Sequence, residues 1–112
     1  MSYEGPQAHG SRTAAMNLRR LARRQSCLVR LPGCTGGGED TVLAHYRLAG
    51  LCGVGTKPDD LACGAWCCDN CHAICDGRKR LDGYSKADIR LAHAEGCIRT
   101  VAKLRELGVV KC

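Results

Sequence analysis

Cysteine is the residue type in this sequence with the clearest capacity for chemistry. Ten of the 112 residues are cysteines, and Cys68 and Cys71 are separated by only two residues. This spacing allows a tight turn to direct both sulfur atoms at one ion, as tetrahedral zinc requires. Because a structural zinc ion takes four protein ligands, a second pair must come from elsewhere in the chain.

Cys27 and Cys34 are the best candidates for that second pair. The proline–glycine pair at 32–33 predicts a turn that carries Cys34 back towards Cys27. Their spacing is wider than is usual in zinc sites, so this pair indicates a site only in combination with the first pair. We predict one structural Zn²⁺ with four ligands: Cys27, Cys34, Cys68 and Cys71.

The remaining cysteines are expected to be small buried apolar side chains, as free cysteines usually are. They are Cys52, Cys63, Cys67, Cys75, Cys97 and Cys112. Some of them could also bind a metal ion. The pairs Cys63 and Cys67, and Cys71 and Cys75, are each separated by three residues, a spacing that also suits one ion, so both pairs remain as alternative ligands.

The start of the chain bears on whether these cysteines bind metal or form disulfides. Residues 1–15 lack the apolar core of a secretory signal, and no apolar run reaches the length of a membrane span. Cysteine-rich chains bind metal in a reducing cytosol and form disulfides when secreted. We therefore expect a cytoplasmic protein with no membrane association, in which metal binding prevails over disulfides.

Two of the four histidines lie beside the proposed zinc ligands. His72 directly follows Cys71 and opens a predicted helix, on which Asp76 falls one turn later on the same face. A histidine and a carboxylate so placed can bind one divalent cation from two sides. His45 lies on a predicted strand between the two cysteine pairs and could face the same cation.

Positive charge is concentrated in the first third of the chain. Residues 5–38 contain six arginines and no acidic residue, and the rest of the chain is balanced, so this segment accounts for the net charge of +6. Such a block suits the phosphate backbone of a nucleic acid, where each neutralised phosphate releases counterions. The alternative is a solvated arginine-rich helix face with no partner.

The elements that would position these groups are short, apart from one helix. Residues 1–15 read as a flexible leader, and residues 16–112 as a single domain. We expect a short helix over 18–24, a strand over 41–47 and a short helix that ends near Gly77. Residues 48–65 carry no clear pattern.

A long helix is predicted at the C-terminal end. Ser85 and Asp88 form a capping-box-like start, and Gly108 is the expected stop. Gly96 is a candidate for a kink. The expected apolar stripe of this helix is Ile89, Ala92, Gly96, Ile98, Val101, Leu104 and Leu107.

A cysteine pair, a histidine on a strand and then C-x2-C-H at a helix start is an order that resembles the zinc-containing HNH (ββα-metal) endonucleases. More closely, the stretches N-L-R-R-L-A-R, V-R-L-P-G-C, L-A-H-Y-R, A-W-C-C-D-N-C-H and D-G-R are similar to the YbcO-type nucleases of phages and prophages. The likeness covers residues 17–108. It implies a small, zinc-stabilised α+β fold: an HNH ββα-metal finger of a short hairpin and a helix, plus the long C-terminal helix.

The resemblance also implies a role for each matching residue. His45 matches the general base that activates water for attack on phosphorus. His72 matches a ligand of the catalytic Mg²⁺ or Mn²⁺, and Asp76 falls where many relatives carry a second helical ligand. The residues expected to contact DNA are Arg19, Arg20, Arg23, Arg24, Arg30, Arg47 and Arg78.

Two positions depart from the pattern of the HNH family. Ala44 stands where many relatives place a metal ligand directly before the base. The central asparagine has no clear match, although Asp60 lies in that region.

The expected function is hydrolysis of DNA phosphodiester bonds in the cytoplasm of a phage-infected or lysogenic bacterium. Two other functions stay open. The first is a non-catalytic zinc-containing protein that binds DNA or assists recombination, with His45 and His72 structural. The second is a small interaction module that contacts another phage protein through the C-terminal helix. Oligomeric state and the form of the DNA substrate are not predicted.

Overall fold

The computed structural model describes residues 18–48 and 60–110. In these ranges the strands are β1 (Val42–His45) and β2 (Gly64–Cys67), and the helices that follow are α1 (Asp69–Cys75) and α2 (Lys86–Glu106). Residues 18–22 are also helical. The predicted leader at 1–15, together with Cys52 and Cys112, lies outside the described residues.

β1 and β2 form an antiparallel two-stranded sheet. Val42 pairs with Cys67, and His45 pairs with Gly64. The predicted strand over 41–47 is confirmed, with shorter bounds. β2 is not predicted from the sequence because its residues, GAWC, are buried on both faces and show no alternation.

The core lies between this sheet and α2. Trp66 of β2 is almost fully buried and packs with Leu43 and Leu104. The backbone N–H of Trp66 donates to Thr100 Oγ1 (2.9 Å) across the same interface. The helix therefore covers one face of the hairpin and fixes its position.

The start of α2 has the predicted capping box. The N–H of Asp88 donates to Ser85 Oγ (3.0 Å), and the N–H of Ser85 donates to Asp88 Oδ2 (2.8 Å). The helix ends at Glu106, and Gly108 follows with a positive φ of 76°. Both ends agree with the sequence prediction.

The buried face of α2 differs from the expected stripe. Ile98 and Leu107 are 69% and 54% exposed, and the helix runs without a break through Gly96. A Cβ at Gly96 would lie 2.7 Å from Val29 Cγ2, so glycine allows the cysteine-containing loop to pack directly on the helix. The residues that do face the core are His93, Gly96, Cys97, Thr100 and Leu104.

Within residues 18–48 and 60–110, no helix has the length and apolar character needed to span a lipid bilayer.

Candidate metal centre and histidine site

Four thiols meet at one point of the fold. The sulfur atoms of Cys27, Cys34, Cys68 and Cys71 all lie within 4.8 Å of one another. Cys34 is half-buried and the other three are buried. This grouping is the one expected from the sequence, and it can hold a metal ion.

The dimensions of the thiol cluster fit zinc. A tetrahedron with Zn–S bonds of about 2.3 Å has sulfur–sulfur edges of about 3.8 Å, and the Sγ atoms of Cys34 and Cys68 lie 3.8 Å apart. Backbone N–H groups donate to the sulfur atoms, from Leu31 to Cys71 (3.3 Å) and from Gly36 to Cys34 (3.3 Å). Such donors favour thiolates, which are the form that binds metal.

The pKa values of the thiols bear on whether they can bind a cation as thiolates. Burial raises the pKa of Cys34 and of Cys71 above the ordinary thiol value. A hydrogen bond from Cys67 lowers the pKa of Cys27 to about 3. Four thiolates in this space need a cation to offset their charge, so the donor set suits a divalent metal.

Contacts outside the thiols join the two cysteine pairs. The predicted turn at 32–33 is present, and the N–H of Cys34 donates to Leu31 O (3.0 Å). Asp40 Oδ2 accepts from the N–H of Asp69 (2.9 Å), which holds the loop after Cys34 against the start of α1. This contact was not predicted, because nothing in the sequence around Asp40 signals a partner 29 residues away.

The remaining cysteines are mostly as expected. Cys67 and Cys97 are buried free thiols, and Cys75 is a half-buried free thiol. Cys63 is buried but disulfide-bonded. The expectation of a free thiol is therefore wrong at Cys63.

His45 is paired with a buried carboxylate. Its Nε2 lies 2.7 Å from Oδ1 of Asp60, a residue that is 6% exposed. Because an ionised carboxylate can only accept, Nε2 is the donor in this contact. Arg19 completes the group, with its Nε 2.9 Å from Asp60 Oδ2.

His72 lies on α1 and Asp76 caps the C-terminal end of this helix, and the two side chains are on the same face, as predicted. His72 Nε2 lies 3.8 Å from Asp76 Oδ2, and both side chains are partly exposed. Asp76 also accepts from Arg78 Nε at 2.7 Å. Partial burial opposes ionisation, but these hydrogen bonds outweigh it and hold the pKa of Asp76 below its ordinary value.

The predicted catalytic ligands do not form a compact group by themselves. Among residues 18–48 and 60–110, the four thiols are the only set of three or more metal-binding side chains with all ligand atoms within 4.8 Å. His45 pairs with Asp60, and His72 pairs with Asp76.

The arginines predicted to contact DNA fall into two groups. Three are paired with carboxylates: Arg19 with Asp60, Arg24 with Glu39, and Arg78 with Asp76. The other four form no ion pair within the described residues, and they are Arg20, Arg23, Arg30 and Arg47. The pairing of Arg19 was missed because the sequence does not show that Asp60 lies against the N-terminal helical turn.

The chain resembles known proteins over most of its length. The family model "Putative nuclease YbcO" matches residues 16–109. Proteins named "Putative nuclease YbcO" from Escherichia coli K12 and "Putative nuclease ybcO" from Enterobacteria phage 82 are each 44% identical over 98 residues, which is 85% of this chain and 97% of theirs. A solved structure titled as a putative bacteriophage protein from E. coli K-12 superposes with a TM-score of 0.66 at 33% identity, covering 82% of this chain and 100% of that one. The chain belongs to the YbcO family of nuclease-named phage and prophage proteins.

Proposed function

We propose that this chain is a zinc-stabilised endonuclease of the HNH kind that hydrolyses DNA phosphodiester bonds with Mg²⁺ or Mn²⁺. The observation that carries the proposal is the contact between His45 Nε2 and the buried carboxylate of Asp60, at 2.7 Å. The names of the relatives support nuclease activity. The strand–strand–helix order of β1, β2 and α1 around the thiols agrees with a ββα-metal finger.

The zinc ion has a structural role in this proposal. Cys27, Cys34, Cys68 and Cys71 hold it as thiolates, and residues 16–112 fold as one domain around it. With all four ligands from the protein, a bound ion would have no open position for substrate. The metal thus fixes the hairpin and α1 relative to each other and takes no part in the chemistry.

His45 acts as the general base. The carboxylate of Asp60 accepts the hydrogen on Nε2, so the imidazole is held with its Nδ1 lone pair available for a proton from water. The water oxygen attacks phosphorus, a new P–O bond forms, and the bond to the leaving sugar oxygen breaks. Asp60 also stabilises the imidazolium that results, as a buried carboxylate does in other histidine-dependent enzymes.

His72 and Asp76 are the proposed ligands of the catalytic cation. Asp76 offers an ionised oxygen because Arg78 favours its charged form, and oxygen ligands suit Mg²⁺. Bound there, the cation would offset charge on the phosphate and on the leaving oxygen. In this proposal Arg78 also contacts a phosphate of the same strand.

A plasmid-nicking assay tests the proposal. The wild-type protein should nick supercoiled DNA only with Mg²⁺ or Mn²⁺ present. His45→Ala should abolish nicking while zinc content and the circular dichroism spectrum stay unchanged. Nicking by His45→Ala at the wild-type rate would refute the assigned base.

A non-catalytic zinc protein that binds DNA is the second candidate. The observation that favours it is the pairing of His45 with Asp60 and of His72 with Asp76, with no third metal-binding side chain completing either pair among residues 18–48 and 60–110. If this second candidate is correct, both His45→Ala and His72→Ala should still retard DNA in a gel, and no divalent cation should support cleavage.

A further inference from the structure

A cleft of about 520 Å³ lies beside the proposed catalytic ligands. Its walls are the end of α1, the loop that follows, and the first turns of α2. Asp76 lines this cleft and is also the residue beside His72. A molecule in the cleft is therefore adjacent to the proposed cation ligands.

The rim of the cleft is positively charged. Four cationic side chains line it: Lys79, Arg80, Lys86 and Arg90. The one carboxylate among the lining residues, Asp76, is already bound by Arg78. Within the described residues, no carboxylate forms an ion pair with Arg80 or Lys86.

Arg90 is held in place on the α2 wall of the cleft. Its guanidinium carbon lies 4.4 Å from the ring centroid of Tyr46, and its Nη2 donates to Arg47 O (3.3 Å). These contacts fix one positive charge, while Arg80 and Lys86 have no carboxylate partner in the part of the chain that the structure describes. The cleft thus offers a positive potential that an anion can enter.

The interior of the cleft is not purely polar. Ile74, Leu81 and Ile89 form an apolar wall, and Tyr84 is 42% exposed among the lining residues. An inorganic anion needs no such surface. A ligand with an aromatic face and an attached phosphate uses both parts, since bases stack on aromatic side chains while basic groups bind the backbone.

We infer that this cleft binds one unpaired nucleotide of the DNA strand, its base against Tyr84 and its phosphate at Arg80 and Lys86. The inference rests on the proposed function and adds the form of the substrate. A base inside a duplex is stacked and paired and cannot present its face to Tyr84. The chain consequently prefers DNA with a single-stranded or displaced segment over a fully paired duplex.

Fluorescence anisotropy tests this inference on the full zinc-loaded chain, with Ca²⁺ in place of Mg²⁺ to suppress cleavage. Two labelled probes are compared: a blunt duplex, and the same duplex with a single-stranded tail. The wild-type protein should bind the tailed probe more tightly. Tyr84→Ala should weaken binding of the tailed probe by roughly tenfold and leave the blunt duplex unchanged, while Tyr84→Phe keeps the ring and the preference.

Variants of the charged residues test the same site independently of the Tyr84 ring. Arg80→Ala should weaken binding of the tailed probe more than the matched control Arg105→Ala, an exposed arginine on α2 outside the cleft. Zinc content and thermal unfolding of each variant establish that it is folded.

The outcomes separate this inference from the proposed function. Equal affinity of the wild type for both probes, or tailed-probe binding unaffected by Tyr84→Ala and Arg80→Ala, would overturn the nucleotide site and leave a duplex-binding nuclease intact. Failure of the wild type to bind either probe would overturn both.

Discussion

His45 and Asp60 are joined by a contact of 2.7 Å between Nε2 and Oδ1, although they are 15 positions apart in the chain. Gly64, the partner of His45 in the hairpin, makes this approach possible. A Cβ at Gly64 would lie 2.5 Å from the backbone oxygen of Asp60. The short β2 thus brings a buried carboxylate to the histidine on β1.

The carboxylate of Asp60 should control the reactivity of His45. In Asp60→Asn the amide can present a donor to Nε2 and so favour the tautomer with the lone pair on the wrong nitrogen. We expect the cleavage rate to fall on the order of 10²- to 10⁴-fold at unchanged DNA affinity, measured by nicking kinetics and anisotropy. Wild-type kinetics in Asp60→Asn would show that Asp60 has no part in catalysis.

The thiol cluster should be necessary for folding. Cys68→Ser and Cys71→Ser should lose zinc and unfold, because binding of a structural zinc ion is coupled to folding. Cys97→Ala is the matched control, since Cys97 is a buried free thiol outside the cluster. Elemental analysis should find one zinc per chain in the wild type and in this control; a folded Cys71→Ser protein without zinc would contradict the structural role.

Replacement of Gly96 should destabilise the protein even when the new residue is alanine. Alanine favours a helix over glycine by about 1 kcal/mol, but its Cβ would lie 2.7 Å from Val29 Cγ2. We expect Gly96→Ala to lower the free energy of unfolding by about 1–3 kcal/mol in urea denaturation. In a Val29→Ala background the same change should cost less; an identical cost would mean that the steric contact is not the cause.

The capping box should contribute to the stability of α2. Ser85→Ala removes the oxygen that accepts from the N–H of Asp88. The expected loss is about 1 kcal/mol in the free energy of unfolding, without change in zinc content. Ser85→Asp retains an acceptor at the N-cap and should recover most of the loss.

The exposed arginines of the N-terminal segment should contribute to DNA affinity through charge alone. Arg20 and Arg23 are exposed in the described residues, and neither forms an ion pair there. Each change to alanine should weaken binding of any DNA sequence and reduce the slope of log affinity against log salt by about one. An unchanged slope in the double variant would show that this surface does not contact phosphates.

Much of the local structure follows from short-range sequence signals. The C-x2-C spacing of Cys68 and Cys71 and the turn at 32–33 predict the thiol pairs, because tight turns are set by adjacent residues. The capping box at Ser85 predicts where α2 begins for the same reason. These features depend on residues within one turn of each other, and the structure confirms them.

The sequence by itself also determined which residue types are available at the site: four thiols for one ion, two histidines beside them, and a basic N-terminal segment. Only the tertiary structure decided that Asp60 lies at His45, and that Arg19 pairs with Asp60. It also decided that Ile98 faces outwards while His93 is buried. These relationships join residues far apart in the chain, and they depend on how the hairpin packs on α2, which no local pattern encodes.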